Sequence, residues 1–136
     1  MSLHNRKLKV INLTIGGNSY ECQISNWELQ NNTEDGNKIY SYCPDGEDRE
    51  ETDPDWALSL TLYSDWRVNG ISDYFMTNDG EDAAFSIVHH PGTVDEQVQW
   101  TGNLRIKAPN VGGEVKTTET QTIVLQCIGK PVYARA

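Results

Sequence analysis

The stretch DWALSLTLYSDWRVNGISDYFMTNDGEDAAFSIVHHP, residues 55–91, decides how the rest of the chain is read. Trp56, Leu58, Leu60 and Leu62 alternate with Ala57, Ser59, Thr61 and Tyr63. A period of two marks a strand, here with one face fully buried. The period then changes. Ile71, Tyr74 and Phe75 fall at i, i+3 and i+4, which is one face of a helix. Asn69 or Gly70 can cap its start, and Asn78-Asp79-Gly80 can stop it. A helix of about two turns does not stand alone, so it must pack on a sheet. Phe85, Ile87 and His89 then resume strand alternation as far as Pro91.

The same alternation recurs on either side. In LKVINLTI (residues 8–15), Lys9, Ile11, Leu13 and Ile15 share one face. Gly16-Gly17-Asn18 supplies residues that accept positive φ, as a tight hairpin turn requires. Tyr20, Cys22 and Ile24 read as the returning strand, and KIYSYC (residues 38–43) as a further short one. Val98, Trp100, Leu104 and Ile106 fit one bent strand with a bulge at Thr101-Gly102. Ile123, Leu125 and Cys127 line one face of another strand, and the tail, residues 130–136, has no evident core role. The expected fold is mainly β: an antiparallel two-sheet sandwich or barrel of seven or eight strands, with one short flanking α-helix at about residues 70–78. The 136 residues make a single domain with an N-terminal arm (1–7) and a long acidic loop (about 31–55).

Charge is unevenly placed. Residues 1–9 carry Arg6, Lys7 and Lys9 and no acid. Residues 34–55 carry nine acids, among them Asp45, Glu47, Asp48, Glu50 and Glu51, against Lys38 and Arg49. With a net charge of −9 for the chain, phosphate is repelled, which argues against a conventional nucleic-acid binder. The bland reading of such a run is a solvated loop. No apolar run is long enough for a transmembrane helix, and the basic N-terminus lacks the apolar segment of a secretory signal. Cys22, Cys43 and Cys127 are an odd, scattered set, which fits neither a disulfide scaffold nor a zinc site.

Chemistry is sparse. His89 and His90 are strand neighbours expected to point to opposite faces, so they should not share a metal. Glu50-Glu51, Glu81-Asp82 and Asp95-Glu96 fall in loops or at strand ends, where both carboxylates should be solvated rather than tuned for proton transfer. The Asn78–Asp82 segment lacks calcium-loop spacing and reads as a turn. No catalytic, cofactor or metal residues are therefore expected. Trp56 and Trp100 fit buried faces. Trp27 and Trp66 remain candidates for surface recognition, either of a partner or of a sugar ring.

The order of elements in residues 55–131 resembles the major tail tube proteins of long, non-contractile-tailed bacteriophages. The features carrying the likeness are the Trp56-led strand, the short helix with its NDG stop, the strand ending HHP, VQWTGNLRI, the VGGEV loop and TIVLQCIGKPVY. The resemblance implies two packed antiparallel sheets with a flanking helix, an architecture shared with contractile-tail and type VI secretion tubes. It implies hexameric rings whose sheets join across subunits and stack into a virion tail, assembled in the host bacterial cytoplasm. Expected partners are further copies of the chain and the tape-measure, tail-tip and terminator proteins. DNA would pass through the lumen without specific binding, and no membrane is involved. Under that reading Arg6, Lys7, Lys9, Asp45, Glu47, Asp48, Glu50, Glu51, Trp27 and Trp66 are candidate inter-subunit contacts. The alternatives are a carbohydrate-binding β-sandwich module using Trp27 or Trp66, and a tail terminator or other virion protein of similar fold.

Overall fold

The computed structural model describes residues 2–135; Met1 and Ala136, the outer ends of the arm and the tail, lie outside them. Among the described residues the order is β1 (Ile11–Ile15), β2 (Asn18–Ser19), β3 (Ile24–Asn31), β4 (Lys38–Ile39), β5 (Asp48–Arg49), β6 (Trp56–Tyr63), α1 (Ile71–Thr77), β7 (Asp82–His89), β8 (Val98–Arg105) and β9 (Thr120–Arg135). The chain is mainly β and antiparallel. Seven strands form one curled sheet in the order β2-β1-β7-β8-β9-β6-β3, and β4 pairs with β5 apart from it.

β9 joins the two halves of the curl. Its residues 120–126 pair with β6, whereas Cys127, Ile128 and residues 132–135 pair with β8. The expected irregularity at Thr101-Gly102 exists, but the extra residues sit on β9. While β8 advances two residues, from Thr101 to Asn103, β9 covers four, from Val132 back to Ile128. Gly129, at φ 79°, occupies that step, where left-handed backbone suits glycine. Gly102 has a different role. A Cβ there would lie 3.1 Å from the Phe85 ring and 3.5 Å from Pro131 Cα. The expectation that residues 130–136 form a tail without a core role is thus overturned for 130–135. They complete β9, and Pro131 is buried. Valine, tyrosine and an arginine stem give this segment ordinary strand character, but its alternation is broken at Gly129-Lys130-Pro131.

The N-terminal hairpin is shorter than its pattern suggests. Ile15 faces Asn18 across Gly16 and Gly17, both at positive φ (61° and 85°). β2 stops after two residues because Tyr20 turns inward, buried against Tyr74 and Phe75 of α1. A 3-10 turn over Glu21–Gln23 follows, leaving Cys22 exposed. The chain then crosses to the other half of the sheet as β3 and pairs with β6. KIYSYC contributes only the two residues of β4; Tyr40 and Tyr42 project into solvent at 72% and 109% relative exposure.

The core fills the space inside the curl. Leu13, Ile15, Phe85, Ile87 and Leu104 from one half meet Leu58, Leu60, Leu62, Ile123 and Leu125 from the other, with Ile71 and Phe75 of α1 closing one side. Burial of each such side chain is worth about 1.5–3 kcal/mol.

Asp65 anchors the connection into α1. Its carboxylate accepts from Arg67 Nε and Nη2, both at 2.9 Å, and from Gln23 Nε2 at 3.2 Å. Its backbone N–H donates to buried Ser72 Oγ at 3.0 Å. The Arg67 hydrogen bonds draw its pKa down to about 2 despite the opposing effect of burial.

Candidate functional site

Three of the four tryptophans line one open cleft of the curled sheet. Trp27 on β3 lies opposite Leu60 of β6, and Trp100 on β8 lies opposite Ile87 of β7. Trp56 begins β6, and His89 ends β7 opposite Ile11 and Val98. These positions share the inward phase of their strands but are only partly buried, although Trp27 and Trp100 sit level with fully buried Leu60 and Ile87. Trp100 packs against the core as expected, though only partly buried, whereas Trp56 does not join it, which corrects the expectation for that residue. Both are only half-buried, and they line an open cleft of about 260 Å³ with Trp27, Glu28, Leu29 and His89. Period-two alternation assigned the correct face. It carries no information about how far along the sheet the interior remains closed.

The cleft is aromatic and poor in polar groups. The Trp27 and His89 rings stand perpendicular, 5.4 Å apart at 89°, as two adjoining walls. Trp100 leans on Tyr133 of β9 at 4.9 Å. The Trp27 indole Nε1 is buried and has no hydrogen-bond partner. Burial, and then the neighbouring His90, hold the His89 pKa below its ordinary value, so the ring is neutral at pH 7. The two histidines do not point apart as expected. His90 has φ 51°, which turns the chain at the strand end and stacks the two rings 4.3 Å apart.

On the other side of Trp27 lies the seam of the sheet. Among the described residues β3 is a terminal strand with no partner beyond it, and β2 covers β1 only at Thr14 and Ile15. A cleft of about 430 Å³ separates residues 8–11 from residues 24–27. Glu21, whose Oε2 is buried without a partner, also lines it. The sheet therefore curls toward closure but leaves two edges facing each other.

Among the described residues no ion pair or hydrogen bond joins the arm to the acidic segment. Arg6 and His4 both reach Glu96, in the turn between β7 and β8, and they hold its carboxyl below the usual range, His4 contributing most. Glu96 is thus paired rather than freely solvated as expected. Lys7 and Lys9 are exposed, and Lys9 borders the seam. Residues 32–55 form an excursion tied at its neck: Asn32 N–H donates to the Asp55 carbonyl at 2.7 Å, and Asp55 N–H donates to Thr33 Oγ1 at 2.9 Å. Within it Glu47 pairs with Lys38, Asp48 accepts from Arg49 N–H, and Glu50 accepts from Asn37 Nδ2. Asp45 and Glu51 are exposed. Trp66 is 41% exposed, does not line that cleft, and its Nε1 donates to Glu119.

Sequence reading missed β3 as a strand and hence the grouping of Trp27 with Trp56 and Trp100. In ISNWELQN only Trp27 and Leu29 alternate with polar residues, too short a run to stand out. Among the described residues no group of three or more His, Cys, Asp or Glu side chains is arranged to hold a metal, and no helix is long and apolar enough to cross a membrane. No protein-family profile matches the chain, and no curated protein matches it significantly.

Proposed function

We propose that this chain is a structural, self-assembling protein: the ring-forming subunit of the tail tube of a long, non-contractile-tailed bacteriophage. The observation that supports this best is the seam. Two sheet edges, β3 and the uncovered part of β1, border one cleft and have no strand partner among the described residues. Free edges of this kind invite pairing with another chain, and a closed ring consumes them. β3 offers eight residues for that purpose.

The excursion at residues 32–55 gives a second line of support. It adds no buried hydrophobic residue to the core, yet it is folded back by its own hydrogen bonds and displays Tyr40 and Tyr42. That form suits a segment whose packing partner belongs to a neighbouring subunit. The basic arm suits pairing with this acidic segment across copies; isolated surface pairs give only about 0–1 kcal/mol each, so repetition around a ring would have to amplify them. Acids facing a lumen would repel phosphate and let DNA slide through. In this reading the subunits form hexameric rings, stack in the virion tail and meet tape-measure, tip and terminator proteins.

Negative-stain electron microscopy of the purified, concentrated chain tests the proposal. Rings or hollow tubes with six-fold end views are expected. Closed rings that never stack would favour the terminator reading, and a chain that stays monomeric even with tail-tip and tape-measure proteins present would count against both. Tubes that form equally well with Arg6, Lys7 and Lys9 all changed to alanine would remove the arm from the assembly contacts.

A further inference from the structure

The stretch LKVINLTI (residues 8–15) alternates throughout, yet β1 begins only at Ile11. Its neighbour explains the late start. β7 ends at His89, opposite Ile11, and His90 at φ 51° turns the chain there. Residues 8–10 therefore carry a strand pattern with no strand beside them on the β7 side. On their other side, across the seam, lie residues 24–27, and the outer edge of β3 is itself unpaired among the described residues. The directions of the two edges match. From β1 the sheet passes through β7, β8, β9 and β6 to β3, and each of the five pairings is antiparallel, so β3 runs opposite to β1. A single foreign strand laid between them would be antiparallel to only one of the two. An extended β1 is antiparallel to β3 directly.

We infer that residues 8–10 are a strap poised to close the seam: once released, they lengthen β1 and pair antiparallel with the first half of β3. Unpaired strand N–H and C=O groups on both edges supply the driving force. Glu96 is the clasp that holds the strap back. It lies in the turn between β7 and β8, on the side of β1 away from the seam, and it engages both His4 and Arg6. Residues 2–10 are otherwise exposed and form no regular structure. Lys9 gives the closed form a charge partner. Lys9 and Glu21 line the same seam, and neither forms an ion pair among the described residues. In the period of β1, Lys9 shares the inward phase of Ile11 and Leu13, so lengthening the strand carries its ammonium into the cleft that Glu21 borders.

Closure is a property of one chain. Its consequence for assembly rests on the function proposed above: a closed strap occupies the first half of the β3 edge and withholds it from a neighbouring copy.

Hydrogen exchange of the monomer, read by mass spectrometry on peptides covering residues 8–12 and 22–29, tests the strap. Glu96→Ala, and separately removal of residues 2–7, release the clasp in two different ways. In each variant both peptides should exchange about ten-fold more slowly than in the wild type, the effect of one or two added net hydrogen bonds. Lys9→Glu, which sets like charge beside Glu21, should cancel that gain in the Glu96→Ala background. Unaltered circular dichroism and unaltered exchange in β7 and β8 will show that the variants keep the fold. Unchanged or faster exchange in either released variant overturns the inference, as does protection that Lys9→Glu leaves intact. Protection that grows with protein concentration also overturns it, because the β3 edge would then belong to a second copy. A failure to form rings at any concentration would count against the assembly and leave the exchange result as it stands.

Discussion

The curled sheet and the excursion at residues 32–55 are built on opposite terms. In the sheet, cohesion comes from side chains: fourteen buried hydrophobic residues form one cluster, contributed by both halves and by α1. In the excursion no residue belongs to that cluster, and order comes from a two-rung β4–β5 ladder, a few carboxylate contacts and the hydrogen-bonded neck. The contrast separates what the fold needs from what it carries. A segment that adds nothing to the hydrophobic core of its own chain is free to serve a second one, whereas the sheet's positions pack on one another.

That division can be broken at the sheet first. Leu60→Ala, at a fully buried site between β3 and β9, should cost about 2–5 kcal/mol, read as a lowered denaturation midpoint. Because β9 belongs to both halves, fluorescence from Trp27 and from Trp100 in single-tryptophan variants should report one coincident transition. Two separated transitions would show that the halves are independent.

Asp65→Ala should come next, at about 1–3 kcal/mol, since it removes the acceptor that gathers Arg67 and Gln23 at the entry to α1. The Asp65 pKa is lowered on folding, so its contribution is fully present above the ordinary carboxylate value of about 3.9. It is lost as pH falls from there through about 2. In the wild type, denaturation followed between those pH values should show the loss; Asp65→Asn should flatten that part of the profile. Gly16→Ala should follow at about 1–2 kcal/mol. Its φ is 61°, and the new Cβ would fall against the Tyr74 hydroxyl, so Tyr74→Phe should recover part of the loss in the double variant.

The smallest effect on stability is expected from the excursion. Replacing residues 34–53 with a short glycine-serine linker should move the monomer's stability by no more than about 1 kcal/mol. The same change should abolish ring stacking if the proposed assembly is right. Loss of the monomer's fold would contradict the division drawn here.

Residues 55–91 were readable because their physics is local. Strand and helix periods differ, and Trp56 to Leu62 and Ile71 to Phe75 show both without interruption. The NDG segment behaves as the expected stop: Asn78 caps α1 and Gly80 has φ 86°. What escaped was decided at a distance. β3 is a strand because β6 supplies a partner for Trp27 and Leu29, and residues 130–135 are strand because β8 lies alongside. The tryptophan cleft escaped for the same reason. Three residues separated by 29 and 44 positions become neighbours only after the curl brings β3, β6 and β8 around one cleft.

The position of β9 also governs the time course of folding. It is the strand between β6 and β8, yet it is made after every other strand, and its pairing with β6 closes a span from residues 57–63 to 120–126. While the chain emerges from the ribosome, β6 and β8 must wait with open edges, and their leucines wait with them. Pairings so distant in sequence form slowly and leave the nascent chain exposed to association in the meantime. If the chain joins its own copies as proposed, it passes through a period when joining them too early is a hazard. The acidic segment lies between β3 and β6 in the chain, so a block of like charge accompanies the unfinished sheet, and such charge disfavours contact between neighbouring chains.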